Sequence, residues 1–195
     1  MSMNPRTARA RQAISLATLK LVAETPVADI TLTQIAETAG VSRPTVYNQF
    51  SDTASLVAEV TMSSLDDVLE KIDDELETSN DKEYLRNLMA KFVDAVYQSR
   101  DFYRNAVYGP SAARIIIGVS QMLDARMSTH LMEKRLMAAG DAGVNDRRAA
   151  ISAGVVWLLV RWLDSDFQGE NAPGRIAERI ADVMYSLSGS GDGRP

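Results

Sequence analysis

Four side chains able to make paired or directional hydrogen bonds lie between Arg43 and Phe50, spaced so that the apolar residues fall on the opposite side. Val46 and Phe50, at i and i+4, point inward from a short helix, which leaves Arg43, Thr45, Asn48 and Gln49 outward. An arginine fork fits O6 and N7 of guanine, and Asn or Gln fits N6 and N7 of adenine. The methyl group of threonine packs on that of thymine, so this face has the chemistry to read base edges in the major groove of a duplex. An ordinary αα-hairpin with a polar outer side has the same composition, and spacing alone leaves both readings open.

Several elements must hold that face in place. Ala10, Ala13, Ile14, Ala17 and Leu21 line one side of a first helix from about Thr7 to Glu24, which Pro26 closes. Thr31 and Gln34 form a Thr-x-x-Gln capping box for a second helix, whose small residues Ala36 and Ala39 permit close crossing. Gly40 makes the corner, Val41 plugs it, and Ser42 caps the third helix with Pro44 in its first turn. A helix pair turning on a glycine at this spacing is a helix-turn-helix, and backbone N–H groups at the start of its second helix can hold phosphate.

The rest of the chain also reads as helix. A fourth helix, capped by Ser51 or Asp52, carries Leu56, Val60, Leu65, Val68, Leu69, Ile72 and Leu76 and runs to about Glu77, before a break at Thr78–Asp81. Further helices are expected over about 82–99, 101–109, 111–139, 145–166 (with Asn145 as cap) and 175–188. Gly109-Pro110, the turn at 140–143 and the loop at 168–174 separate them. No strand-like alternation of useful length occurs. The expected fold is all-α, with a helix-turn-helix domain over 1–51, a larger helical effector-binding and dimerisation domain over 52–188, and a disordered tail over 189–195.

Composition narrows the function. The net charge is −5, yet through Phe50 the bases Arg6, Arg9, Arg11, Lys20 and Arg43 face only Glu24, Asp29 and Glu37, so the acidity lies further on. A locally basic module on an acidic body remains compatible with DNA, because charge is screened beyond about 10 Å. Cysteine is absent, which removes disulfides and thiolate chemistry together. No apolar run reaches the roughly 20 residues that span a bilayer, and no secretory segment is evident, so no membrane partner and a cytoplasmic location are expected. His130 and Glu133 are two potential ligands without a cage. No nucleophile–base pair, phosphate loop or metal set is visible, so neither enzyme activity, nor a cofactor, nor a metal is expected.

Ile35-Ala36, Ala39-Gly40-Val41-Ser42 and Thr45-Val46-Tyr47 followed by Phe50 resemble the core signature of TetR-type regulators, over about Arg9 to Leu56. The resemblance implies that Thr33 faces the groove edge, that Arg43, Thr45 and Asn48 meet bases, and that Tyr47 and Gln49 anchor phosphates. Thr53 stands where many relatives carry a phosphate-gripping lysine, Gln49 replaces a common His or Tyr, and Pro26 replaces a common Gly. The first two lighten the grip on phosphate and shift it toward Arg6, Arg9 or Arg11 and helix N-termini.

The resemblance also implies a homodimer joined through the last two helices. Val155, Leu159 and Trp162 on one, and Ile176, Ile180, Met184 and Leu187 on the other, are the apolar residues expected at that interface. Two reading heads about 34–36 Å apart would then meet a palindromic operator in double-stranded DNA. A largely apolar small-molecule effector is expected to release a repressor. Met62, Phe92, Tyr97, Phe102, Tyr103, Tyr108, Met122 and Trp157, with Met89, Met127 and Met132, are candidates for its pocket, and Arg161 is placed to meet an anionic group beside Trp157. Such stripes equally make plain core. An activator, a ligand-independent binder, or a helical interaction protein with a vestigial helix-turn-helix are the competing readings.

Overall fold

The computed structural model describes residues 5–75, 81–127, 135–137 and 143–189, without the side chains of residues 5, 6, 74 and 75. Leu76, residues 78–80 of the expected break, His130, Met132, Glu133, residues 140–142, the tail beyond Gly189 and the side chain of Arg6 lie outside them. The described elements are helical: α1 (Pro5–Glu24), α2 (Leu32–Ala39), α3 (Arg43–Tyr47), α4 (Thr53–Glu75), α5 (Asp81–Gln98), α6 (Arg100–Val107), α7 (Ala112–Met127), α8 (Val144–Leu163) and α9 (Pro173–Leu187). Short 3-10 turns stand at Val27–Asp29 and Gly169–Asn171. The all-α reading holds, and no strand occurs among the described residues.

By packing, the described residues up to Leu65 form one compact unit with Ser99–Ile115, and Asp66–Gln98 form a second with those from Ile116 onward. The change of unit falls inside α4, whereas the boundary expected from sequence lies at its start. In the first unit, Ile14, Ala17 and Val22 of α1 are buried, as is Thr18, whose hydroxyl donates to the Ile14 carbonyl at 2.8 Å. Asn105 of α6 donates from Nδ2 to the Val22 carbonyl at 2.7 Å, satisfying an acceptor at the end of α1. At Gly109 a Cβ would lie 3.0 Å from the Asn105 carbonyl and 3.1 Å from Cβ of Val27. The bend between α6 and α7 therefore needs glycine for close approach.

In the second unit α9 packs mainly on α5 and also on α8, burying Ile176, Ala177, Ile180, Ala181 and Met184. α8 starts one residue after Gly143, whose φ of 76° sits in the left-handed region, so Asn145 is not its cap. Phe167 takes φ 57°, a conformation that L-residues adopt at a cost of about 1–2 kcal/mol. Its ring explains the tolerance. It stands edge-on to both Tyr97 and Trp162, with centroids 5.3 and 5.2 Å away, while the Trp162 indole donates to the Asn171 carbonyl at 2.7 Å.

Candidate functional site

The reading face rests on a corner whose hydrogen bonds are complete. Thr31 and Gln34 close the expected capping box: the Gln34 amide donates to Thr31 Oγ1 at 3.2 Å, and the Thr31 amide donates to Gln34 Oε1 at 2.8 Å. Gly40 takes φ 65° and ψ 28°, its N–H bonding the Glu37 carbonyl while that of Val41 bonds the Ala36 carbonyl at 3.0 Å. This is the Schellman arrangement, and it terminates α2 where a side chain would be strained. Ser42 stands at the N-cap of α3 but does not cap it with its side chain. Its hydroxyl instead shares a 2.7 Å hydrogen bond with Thr45 Oγ1.

Val46 is wholly buried and Phe50 nearly so, as their spacing requires. Arg43, Asn48 and Gln49 are exposed, Tyr47 is 53% exposed, and Thr33 and Thr45 are half-buried. All six candidates lie in the first unit with exposed or half-buried side chains, each already engaged or open to solvent. Arg43 Nη2 lies 2.9 Å from Glu37 Oε1, the hydroxyls of Thr33 and Tyr47 are 3.2 Å apart, and Gln49 Nε2 donates to the Thr45 carbonyl at 2.8 Å. Glu37 is a participant that the sequence reading missed. A carboxylate one helix away from an arginine carries no motif, although the turn at Gly40 makes the pair inevitable.

One of the departures and its neighbour have structural roles. Thr53 donates to the Ile30 carbonyl at 3.0 Å, tying the start of α4 to the chain before α2. Asp52 is the cap of α4. It accepts from the Ser55 amide at 2.7 Å and from the hydroxyls of Ser55 and Ser51, and Arg114 lies 3.4 Å away. These bonds, the Ser55 amide foremost, lower its carboxyl from 3.8 to about 2. Arg11, expected to support phosphate binding, is paired with Glu59 of α4.

The second unit holds a cavity of about 180 Å³ among α4, α5, α7, α8 and α9. Leu69, Leu85, Leu88, Met89, Leu123, Met127, Val155 and Met184 supply its apolar walls, and Asp73, Tyr84, Arg126 and Ser152 its polar atoms. Met89 and Met127 belong to the Met-rich set named from sequence. Met62, Phe92, Tyr97, Phe102, Tyr103, Tyr108, Met122, Trp157 and Arg161 do not line it. Phe92 is plain core, and Tyr97 is spent on the Trp162–Phe167 cluster. Phe102 and Tyr103 stack in the core of the first unit, where burial raises the Tyr103 hydroxyl pKa and Ser64 pairs with it at 3.0 Å. Met62 and Met122 are half-buried, while Tyr108, Trp157 and Arg161 are exposed.

The residues expected at a dimer interface are mostly buried within the protomer. Val155, Leu159, Trp162, Ile176, Ile180 and Met184 are at most 8% exposed inside the protomer, so only Leu187, at 54%, remains available to a partner. The outward stripe of α8 consists instead of Ala149, Ala150, Ala153, Gly154, Trp157 and Arg161, with Trp157 57% exposed. Gly154 has no need of its missing side chain within the protomer, since a Cβ there would meet nothing within 4 Å. Among the described residues no group of three or more His, Asp or Glu is placed to hold a metal, and no helix is long and apolar enough to cross a membrane.

Comparison with known proteins agrees with this geometry. Residues 14–60 match the family model of bacterial regulatory proteins of the tetR family. A stretch of 43 residues is 49% identical to an uncharacterized HTH-type transcriptional regulator of Mycobacterium tuberculosis, covering 22% of this chain and 23% of the relative. Among solved structures, the fatty acid degradation regulator FadR from Bacillus halodurans aligns over 94% of this chain and 96% of its own, with TM-score 0.65 and 15% identity. FadR from Bacillus subtilis in complex with stearoyl-CoA aligns over 90% and 98% at 0.64 and 15%. NalD, the secondary repressor of a multidrug efflux pump in Pseudomonas aeruginosa, aligns over 93% and 96% at 0.55 and 20%. The fold and the reading corner are those of a helix-turn-helix protein. Residues 14–60 are thus similar to the N-terminal domain of tetR-family regulatory proteins, and the whole chain shares its fold with the solved structures above.

Proposed function

We propose that the protein is a homodimeric repressor that binds a palindromic operator through α3 and leaves it when a small molecule occupies the cavity of the second unit. The observation carrying this reading is the exposed set Arg43, Tyr47, Asn48 and Gln49, held outward because Val46 and Phe50 are buried behind the Gly40 corner. Arg43, Thr45 and Asn48 meet base edges, Thr33 stands at the groove edge, and Tyr47 and Gln49 hold phosphate. The dimer forms on the outward stripe of α8, together with Val183 and Leu187 of α9, which are exposed apolar residues on a helix otherwise polar outside. Support for release by a ligand comes from the cavity itself and from FadR, whose structure holds stearoyl-CoA. The site of action is the cytoplasm, where the DNA is.

Selection of bound duplexes from a random pool tests the reading, with a two-fold symmetric site as the expected product. On that site Arg43→Ala is expected to cost about 1–3 kcal/mol and relax base choice, whereas Tyr47→Phe weakens cognate and scrambled duplexes alike. Equal losses for Arg43→Ala on both duplexes remove its base-reading role.

A further inference from the structure

The charges around the cavity restrict what can occupy it. Among the described residues Arg126 is the one cation in its lining, and it is already bracketed by Asp73 and by Asp66, the latter at 3.2 Å. Tyr84 directs its hydroxyl to Asp73 at 3.5 Å, and burial, then the Asp73 charge, raises its pKa, so it remains a neutral donor. Ser152 is spent on the Arg148 carbonyl, and Arg148 itself is held by both carboxylate oxygens of Asp124, at 2.8 and 3.3 Å. Among the described residues, the polar corner formed by Asp66, Asp73 and Arg126 carries an excess of one negative charge, against walls of Leu, Met and Val.

A ligand carboxylate would have to take Arg126 from Asp73 and leave that carboxylate facing it, exchanging one charge-assisted pair for another with a repulsion added. An ammonium gains Asp73 while Arg126 keeps both partners. Size sets a second limit. A cavity of about 150 Å³ accommodates a benzene, so 180 Å³ suits one ring with a short arm and not a long acyl chain.

Resting on the effector reading above, we infer that the cavity takes a compact lipophilic cation, an amine carrying a single ring or its aliphatic equivalent, with its nitrogen at Asp73. This differs in class from the acyl-CoA bound by the Bacillus subtilis relative.

Three probes of one shape decide it: 2-phenylethylamine, 3-phenylpropionate and 2-phenylethanol, titrated calorimetrically against the full-length dimer. The amine is expected to bind at least about tenfold more tightly than the carboxylate, as an added charge-assisted hydrogen bond predicts. Asp73→Asn should remove that preference and leave the alcohol unchanged, and Leu123→Trp, which fills the cavity, should abolish all three. The wild-type ranking needs no variant, so a poorly folded Asp73→Asn leaves the test intact. Carboxylate binding equal to or tighter than amine binding overturns the inference, as does binding of none of the three, or amine binding that survives Leu123→Trp. Release of DNA is read separately. An amine that fills the cavity and leaves operator affinity unchanged supports the ligand class and removes the effector role, whereas a carboxylate that fills it and releases DNA does the reverse.

Discussion

Replacing Gly154 by alanine separates the two explanations of a glycine in mid-helix by sign. Gly154 lies well inside the 20-residue helix α8, where glycine is about 1 kcal/mol worse than alanine. A Cβ there meets nothing of the protomer within 4 Å. If the outer stripe of α8 faced solvent, Gly154→Ala would simply stabilise the chain, raising Tm by about 2–4 °C for a protein of this size. If a second α8 crosses there, two added methyl groups enter one close contact. Overpacking of about 1–3 kcal/mol per site then weakens the dimer by tenfold or more. Sedimentation equilibrium gives the dimer constant, and thermal melts over a hundredfold range of concentration give the linked stability. Trp157→Ala supplies a second reading of the same face. Burying the 57% of its surface now exposed, from a side chain of roughly 200 Å² at about 25 cal/mol/Å², contributes about 3 kcal/mol per protomer. A dimer constant unchanged by both variants, with the Gly154→Ala melt raised by 2–4 °C as above, would refute the assignment of this stripe.

Other expectations follow from single contacts. Glu37→Gln releases the Arg43 guanidinium and removes a negative charge from the face that approaches phosphate. Non-specific duplex affinity should rise at low salt and base discrimination fall; fluorescence anisotropy on cognate and scrambled duplexes that moves neither contradicts a role for the pair. The Asp52 carboxyl is lowered to about 2 from an ordinary 3.8, so its contribution is complete above the higher value and is lost as pH falls toward the lower. The Tm difference between wild type and Asp52→Asn should therefore shrink on acidification through that window, and a constant difference would count against the cap. At Phe167 the usual ranking of alanine over glycine should invert. Phe167→Ala loses the ring and keeps the left-handed penalty, whereas Phe167→Gly relieves it and should be about 1 kcal/mol more stable by denaturant melts.

The first unit was readable because its signals are local. The capping box at Thr31 and Gln34, the left-handed Gly40, and Val46 with Phe50 each act within a few residues, and each is found as expected. The second unit was legible as helix and opaque as a site. Periodicity on α8 and α9 identifies a strongly apolar side, and that side belongs to the protomer's own core, as Val155, Trp162 and Ile180 demonstrate. The outward side of α8 is mostly alanine and glycine beside Trp157 and Arg161, and alanine and glycine have little hydrophobic signal. The cavity draws its walls from five helices, so no stretch of sequence contains it. Asp73, Tyr84 and Arg126 come together only through packing. Tyr97 and Phe102, named from sequence for a pocket, pack their rings against Phe167 and Tyr103.

The cap of α4 has a mechanical corollary. Asp52 is bonded to the first turn of α4 through Ser55 while Arg114, from the start of α7, engages both Asp52 and Ser55; Thr53 is tied to Ile30 as well. The root of the helix is clamped from three directions, as a beam built into a wall is. Bending at that root would break several bonds at once, so the chain has no hinge where the reading corner meets α4. The Ser55 amide, held by the Asp52 carboxylate, should exchange with solvent more slowly than first-turn amides usually do.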